Sequence, residues 1–156
     1  FLIFAKRVSQ MNEVSFYIQR LEKKQIKPTA VRILVLRTLM KSSYALSLSE
    51  LEEQLVTVDK STIFRTLNLF LAHHLVHEME DGSGSSKYEV CENEDSCSIE
   101  DMHVHFYCER CHRTFCFKNI QIPLISLPEN FRMQSVNYMI KGICDNCIKK
   151  TDPTED

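Results

Sequence analysis

The sequence lacks any apolar run long enough to span a membrane, which argues against a transmembrane protein. It also shows no secretory signal, because the apolar start of residues 1–4 is interrupted at once by Lys6 and Arg7. With 44% hydrophobic and 26% charged residues, the composition is typical of a soluble globular protein. We therefore expect a cytoplasmic protein with no membrane partner.

The patterns of two classes of enzyme are missing as well. The chain has no His-Glu-x-x-His pattern, with which metallopeptidases bind zinc and supply a general base. Its Cys-x-x-Cys pairs do not follow a strand in a βαβ setting, as a thioredoxin-like dithiol would. We expect a protein that is not an enzyme and has no small-molecule substrate. The alternative is a zinc hydrolase with an open site near His103 and His105.

Four cysteines organise the second half of the chain. Cys108 and Cys111 form one Cys-x-x-Cys pair, and Cys144 and Cys147 form another, with thirty-two residues between the pairs. Two such pairs can fold back on each other and offer four thiolates at the corners of a tetrahedron, as a closed structural Zn²⁺ site requires. A disulfide framework or a redox dithiol is the alternative.

The net charge of −2 hides an asymmetry along the chain. Residues 1–41 carry nine Lys or Arg and two acidic residues, whereas residues 91–156 carry seven basic and eleven acidic residues. A basic front half indicates contact with a polyanion, and the alternative is a solvated helix face.

Hydrophobic spacing predicts four helices in the first half. The first spans residues 12–24 and ends at Pro28, and the second spans residues 30–41 with Thr29 as its N-cap. A third begins at the capping box of residues 47–50, and a fourth runs from near Asp59 to about His73. The tight connection between the last two predicts a helix-turn-helix. The first turns of its second helix would face DNA or form ordinary helix surface, through Ser61, Thr62, Phe64 and Arg65.

Strand patterns dominate the remainder. Residues 75–80 and 87–91 flank a Gly-rich turn and predict a hairpin that serves as a wing. Further strands are predicted at residues 103–107, 114–118 and 132–143, with a turn or short helix between Pro123 and Pro128. The fold class is therefore α+β, with an N-terminal winged helix-turn-helix followed by a small α/β domain that carries the four-cysteine knuckle.

A second group of metal-binding side chains surrounds the predicted domain junction. His103 and His105 alternate on one strand near the knuckle, and Cys116 follows on the next strand. His77 and Cys91, on the two hairpin strands, could point toward the same place. Imidazole and thiolate ligands suit zinc better than cations that prefer carboxylates. Metal bound by both domains would couple occupancy to their relative orientation.

Four motifs then agree in order and spacing: Thr29-Ala-Val-Arg32, residues 61–67, His103-x-His105-x-x-Cys108-x-x-Cys111 and Gly142-x-Cys144-x-x-Cys147. Over about residues 12–149 the chain resembles the ferric uptake regulator family of metal-dependent repressors. The resemblance implies a C-terminal dimerisation domain, a homodimer and a palindromic, AT-rich operator in double-stranded DNA. By position, Lys27 would reach the minor groove, Phe64 and Arg65 the major groove, and Arg32 is a further DNA-contact candidate.

Departures from the family pattern bear on which signal is sensed. Iron and peroxide sensors commonly place a His before the third helix, where this chain has Tyr44-Ala45, and a carboxylate where it has Cys116. His77 and Cys91 fall where zinc uptake regulators place ligands, whereas Glu89 aligns with a ligand of the iron branch. A further His/Asp site of some members is missing, with Met102, Val104 and Val136 at its positions.

These patterns together predict a zinc-sensing repressor. We expect a structural Zn²⁺ in the four-cysteine site and a second, regulatory divalent metal, with Zn²⁺ favoured over Fe²⁺. Its candidate ligands are His77, Glu89, Cys91, His103, His105 and Cys116. The alternatives are an iron- or haem-responsive regulator, or a peroxide sensor in which Cys91, Cys97 or Cys116 is oxidised.

The same patterns divide the chain. Residues 1–91 form the DNA-binding domain, of which residues 1–11 are expected to be an extension or tag. Residues 92–101 form an acidic linker, residues 102–150 the dimerisation and metal-binding domain, and residues 151–156 a tail.

Overall fold

The computed structural model describes residues 2–91, 104–117, 119–120, 122, 125–133 and 138–150, with side chains from residue 13 onward. The helices are α1 (Leu2–Lys23), α2 (Ala30–Lys41), α3 (Leu48–Gln54), α4 (Lys60–Ala72) and α5 (Asp145–Lys149). The strands are β1 (Leu46–Ser47), β2 (Val76–Glu80), β3 (Ser86–Val90), β4 (Val104–Cys108), β5 (Thr114–Phe117) and β6 (Tyr138–Gly142). Within these ranges no helix is both long and apolar enough to cross a membrane.

The first unit packs α1–α4 against an antiparallel sheet of order β1-β3-β2. Its core is a continuous cluster of apolar side chains that includes the fully buried Leu21, Leu36, Leu51, Leu67 and Phe70. Burial of such side chains is the main force that stabilises the unit. Helix α3 is followed by α4 and then by the β2–β3 hairpin, which is the winged helix-turn-helix expected from the sequence.

Two helix starts confirm the capping predictions. The Thr29 side chain accepts a hydrogen bond from the Arg32 amide at the start of α2. At the start of α3, the Ser47 side chain accepts from the Glu50 amide, and the Glu50 carboxylate accepts from the Ser47 amide, which completes the capping box. Because these bonds satisfy amides that have no partner inside the helix, they fix where each helix begins.

The second unit is a three-stranded sheet of order β5-β4-β6 followed by α5. Strand β4 pairs antiparallel with β5 and parallel with β6. Its buried cluster consists of Cys108, Cys144 and Cys147, with Phe106 and Phe115 packed against it. In the described part of this unit, cysteines therefore occupy the centre that aliphatic side chains occupy in the winged helix.

Several element boundaries were wrongly predicted. Helix α1 begins at Leu2 and ends at Lys23 before Pro28, because Gln25 adopts a left-handed conformation (φ 58°) and the Ile26 amide returns to the Leu21 carbonyl. Of the strand predicted over residues 132–143, the structure describes residues 132–133 and 138–143, and β6 occupies Tyr138–Gly142 of these. Strand β1 and helix α5 were not predicted. The linker expected at residues 92–101 lies outside the described residues.

Candidate metal centres and nucleic-acid interface

The four-cysteine cluster forms where β4 and its following turn meet the start of α5. Cys108, Cys111, Cys144 and Cys147 have sulfur atoms that all lie within 4.8 Å of one another. The Cys111 and Cys144 sulfurs are 3.8 Å apart. Thiolates bound about 2.3 Å from a tetrahedral Zn²⁺ are separated by roughly 3.8 Å, so the cluster fits a closed zinc site.

Backbone amides favour a thiolate in this cluster. Burial raises the pKa of Cys108, but hydrogen bonds from the amides of Cys111, Cys144 and Arg110 outweigh it and lower that pKa to about 6. Burial and the neighbouring cysteines raise the pKa of Cys147 to about 12. One thiolate therefore forms readily at neutral pH, and a metal ion would displace the protons of the others.

A second group lies between the two sheets and consists of two cross-strand pairs. His77 of β2 lies opposite Glu89 of β3, and His105 of β4 lies opposite Cys116 of β5. Side chains at directly paired positions share one face of a sheet. The two pairs face each other across the junction, and we call these four residues the junction site.

Glu89 is the centre of the junction site. Its Oε2 lies 3.2 Å from His77 Nε2 and accepts a hydrogen bond of 2.6 Å from the Cys116 thiol. His105 is 8% exposed, and its ring centre lies 6.1 Å from that of His77. Donor atoms of His77, Glu89 and His105 lie within 4.8 Å of one another. Ligands about 2.0–2.2 Å from a tetrahedral metal are roughly 3.3–3.6 Å apart, so these donors fit a metal after a shift of about 1 Å.

Four of the six predicted regulatory ligands thus come together. Cys91 occupies a different position, because its sulfur lies 3.5 Å from His77 Nδ1, whereas Glu89 faces Nε2 of the same ring. Cys91 is also disulfide-bonded, which removes its thiolate from the set of available ligands. His103 lies outside the described residues, as does Cys97.

A cavity leads to the junction site from the surface. It has a volume of about 600 Å³ and lies between helices α1 and α2 and strands β3 and β5. Its lining includes Arg20, Tyr44, Tyr88, Glu89 and Cys116. Two of the junction-site side chains are therefore reachable by a small solute such as a metal ion.

The exposed face of α4 is the candidate nucleic-acid interface. Ile63, Thr66 and Leu67 point into the core, whereas Ser61, Arg65 and Phe64 are exposed, and Phe64 retains 46% of its accessible surface. An exposed aromatic ring beside an arginine can contact thymine methyl groups and guanine or phosphate. Three of the four candidates predicted on this helix are therefore exposed to solvent.

Asp59 is the N-cap residue of the same helix and binds two of the predicted DNA-contact residues. Its carboxylate accepts hydrogen bonds from the Ser61 and Thr62 hydroxyls and from the Thr62 amide. The bond from Ser61 contributes most to lowering the pKa of Asp59, followed by those from Thr62. These hydroxyls thus hold the start of α4 in place. Before α2, the exposed Lys27 offers its carbonyl to the Arg32 guanidinium at 2.7 Å, so both basic residues lie together.

Two hydrogen bonds between the two units were not predicted from the sequence. Thr114 of β5 donates its hydroxyl hydrogen to Asp81 in the turn of the β2–β3 hairpin. The Ala45 amide donates to the Thr114 carbonyl in an isolated antiparallel bridge. Neither Asp81 nor Thr114 belongs to a sequence motif, so no pattern in the sequence indicates this contact.

Comparison with known proteins gives concordant matches. The model of the ferric uptake regulator family matches residues 23–141. The ferric uptake regulation protein of Campylobacter jejuni is 27% identical over 133 residues, which cover 78% of this chain and 80% of that protein. The ferric uptake regulation protein of Campylobacter upsaliensis is 30% identical over 95 residues, covering 58% of this chain and 56% of that protein.

Solved structures show the same fold. A zinc uptake regulator complexed with zinc and DNA superposes with a TM-score of 0.61 at 18% identity and covers 90% of this chain and 96% of that chain. The Vibrio cholerae ferric uptake regulator superposes with a TM-score of 0.58 at 20% identity and covers 81% and 98% of the two chains.

Proposed function

The chain belongs to the ferric uptake regulator family, whose members are metal-responsive, DNA-binding transcription regulators rather than enzymes, and we propose that it is a zinc-sensing repressor. The observation that carries the proposal is the junction site. It offers two imidazoles, a carboxylate and a thiol from His77, His105, Glu89 and Cys116. Such a mixed nitrogen and sulfur donor set suits Zn²⁺. Fe²⁺ is the alternative metal for this site, because the carboxylate of Glu89 lies at its centre.

The four-cysteine cluster would have a structural role. Its four thiolates would fill every position around a tetrahedral Zn²⁺, which leaves none for a substrate or for exchangeable water. The cluster joins the turn after β4 to the start of α5, where the Cys144 amide donates to the Cys108 sulfur at 3.3 Å. Zinc there would stabilise the small second domain whose strands carry His105 and Cys116.

The junction site would couple metal to DNA binding through the orientation of the two domains. His77 and Glu89 belong to the wing hairpin, whereas His105 and Cys116 belong to the second sheet. A metal held by all four binds only when the sheets face each other as they do here. It would therefore shift the population toward that orientation by its differential affinity.

A homodimer would present two copies of the DNA-binding surface. Ile140, Ile143 and Ile148 lie on the second domain and are each about half exposed, at 49%, 50% and 50%. Ile140 lies on β6, which is at the edge of its sheet among the described strands, whereas Ile143 and Ile148 follow it in the chain. Exposed apolar side chains at such an edge suit a subunit contact. Two-fold symmetry would place the α4 helices on a palindromic operator.

On DNA, the exposed face of α4 would enter the major groove. Arg65 and Phe64 would contact base edges there, with Ser61 and Thr62 at the start of the helix close to the backbone. Lys27 and Arg32, which lie together before α2, would contact phosphates or the minor groove. Such a regulator would act in the cytoplasm, where its DNA is located.

The proposed domain boundaries follow from the same division. The DNA-binding domain would comprise residues 1–91 and the dimerisation domain residues 102–150, with residues 92–101 as the linker. The two units already have separate buried clusters, one around Phe70 and one around Cys108.

Metal analysis of the purified protein tests the proposal. We expect two zinc ions per chain, one of which is lost in His105→Ala while the four-cysteine zinc remains. His73→Ala is the matched control, because the His73 ring contacts the Lys24 carbonyl within the first unit rather than the junction site. Two zinc ions per chain in His105→Ala would contradict the assignment.

A redox-responsive regulator is a second candidate because Cys91 is disulfide-bonded beside His77. Reduction by a dithiol would restore the Cys91 thiol next to a junction-site ligand and so change metal affinity. Thiol counting combined with zinc affinity before and after reduction separates the candidates. Equal zinc affinity of the disulfide-bonded and the reduced protein would exclude the redox-responsive regulator.

A further inference from the structure

The winged helix and the second sheet are joined by a contact that contains no metal ligand. The Thr114 hydroxyl donates a hydrogen bond of 2.5 Å to the Asp81 carboxylate, and the Thr114 carbonyl accepts one of 2.9 Å from the Ala45 amide. Thr114 is 0% exposed, Asp81 is 1% exposed and Ala45 is 1% exposed. We call these three residues the latch. Because its polar groups are buried, breaking these hydrogen bonds without giving the groups new partners would cost free energy.

The hairpin turn is shaped to fit against the second sheet. The Ser83 amide donates to the other oxygen of Asp81 at 2.8 Å, which fixes the carboxylate in place. Gly82 adopts φ +84°, and a Cβ at that position would lie 2.7 Å from the Lys141 amine of β6. A residue with a side chain would be strained in this conformation and would crowd Lys141. The turn therefore contacts both β5 and β6.

The latch and the junction site lie on the same two elements. Thr114 and Cys116 are two residues apart on β5, so their side chains leave the same face of the sheet. Thr114 contacts Asp81 and Cys116 contacts Glu89, and both carboxylates belong to the β2–β3 hairpin and its turn. The orientation that closes the latch is thus the one that brings Glu89 and His77 to His105.

We propose that the latch is a positioning contact that assembles the junction site before metal arrives, an inference that rests on the proposed zinc-sensing function. Metal can bind with full affinity only to the fraction of molecules whose two sheets already face each other, and the apparent dissociation constant rises as that fraction falls. The latch raises the fraction without contacting the metal. By reciprocity, bound metal stabilises the latch.

Thr114→Val tests the proposal because it removes the hydroxyl with little change in volume. Thr114→Ser keeps the hydroxyl and should restore the contact. Thr38→Val is the matched control, since the Thr38 hydroxyl donates to the Leu34 carbonyl inside α2 and crosses no junction. Zinc affinity for the second equivalent is measured by competition with a chromophoric chelator, with the four-cysteine site filled throughout.

Amide exchange at Ala45 reports the latch directly, because that amide donates across the junction. In protein without the second zinc, exchange at Ala45 should be faster in Thr114→Val than in the unmodified chain, while the Ile33 amide inside α2 stays unchanged. The second zinc should bind Thr114→Val at least about fivefold more weakly, within the range usual for coupled sites. Thr114→Ser and Thr38→Val should retain the original affinity.

Two results would overturn the positioning role. One is unchanged zinc affinity in Thr114→Val despite faster exchange at Ala45, and the other is equally fast exchange at Ala45 in both proteins without the second zinc. If the unmodified chain takes up no second zinc at all, the proposed zinc site is wrong and the positioning role is wrong with it.

Discussion

Cys144→Ser should unfold the second domain while the winged helix stays folded. Cys144 lies in the buried four-cysteine cluster and is the N-cap residue of α5, so its loss removes one ligand and disturbs the cluster that holds β4 to α5. A structural zinc site contributes about 10–16 kcal/mol, whereas a whole domain is stable by only about 5–15 kcal/mol.

The side chains around the cluster cannot replace that contribution. Phe106 and Phe115 are the partly buried aromatic residues packed against the cysteines. Even complete burial would yield only about 1.5–3 kcal/mol for each of them. The core around Phe70 forms a separate cluster, so the first unit does not depend on the zinc.

Zinc content and two-dimensional NMR spectra measure the outcome. In Cys144→Ser we expect the four-cysteine zinc to be lost and the signals of residues 104–150 to collapse, with dispersed signals retained for the winged helix. Cys116→Ser is the control, because it removes a thiol that lies outside the cluster. It should lose at most the junction-site zinc and keep dispersed signals for both units together with the four-cysteine zinc. A Cys144→Ser protein that retains this zinc and dispersed signals for both units would refute the reasoning.

Three further predictions concern DNA binding, the core and pH. Arg65→Ala should weaken binding to a selected duplex by about 1–3 kcal/mol with unchanged helix content, measured by fluorescence anisotropy and circular dichroism; unchanged affinity would exclude Arg65 from the interface. Phe70→Ala should lower the free energy of unfolding by about 3–5 kcal/mol in urea titrations, because Phe70 is 0% exposed; a loss below about 1 kcal/mol would contradict its place in the core. Burial raises the pKa of Asp81, but hydrogen bonds from Ser83 and Thr114 lower it overall, so the carboxylate stabilises the fold above its unfolded pKa of about 4 and loses this effect as pH falls through the lower folded value. The stability difference between the unmodified chain and Thr114→Val should therefore shrink below about pH 4, and a pH-independent difference in urea titrations would contradict this.

Local chemistry explains which elements could be predicted from the sequence. The caps at Thr29 and Ser47 are set by hydrogen bonds to residues only three positions away, so the motif alone identifies them. The four cysteines are likewise recognisable by spacing, because each pair needs only two intervening residues to offer both sulfurs to one ion. These features depend little on the rest of the chain.

Pairings between distant residues could not be derived in this way. The junction site depends on the registers that place His77 opposite Glu89 and His105 opposite Cys116, and on the packing of one sheet against the other. Family resemblance supplied Glu89 only as a sign of the iron branch, whereas the fold makes it the shared contact of His77 and Cys116.

Strand formation also depends on the strands available for pairing and not on the local sequence pattern alone. Residues 132–143 alternate as a strand would, and in the described part of that stretch β6 occupies Tyr138–Gly142, where each residue lies opposite one of Val104–Cys108. The two-residue β1 forms because Leu46 and Ser47 lie opposite Tyr88 and Lys87, and no local signal indicates it.

The central claim is that metal in the junction site controls DNA binding. Its most direct test is the affinity for a duplex selected from a random library by the zinc-loaded protein, measured by anisotropy with the four-cysteine zinc always present. One further zinc per chain should raise the affinity at least about tenfold, which is about 1.4 kcal/mol of coupling and within its usual range. In His105→Ala this increase should vanish. Equal affinity of the unmodified chain with and without the further zinc would contradict the account.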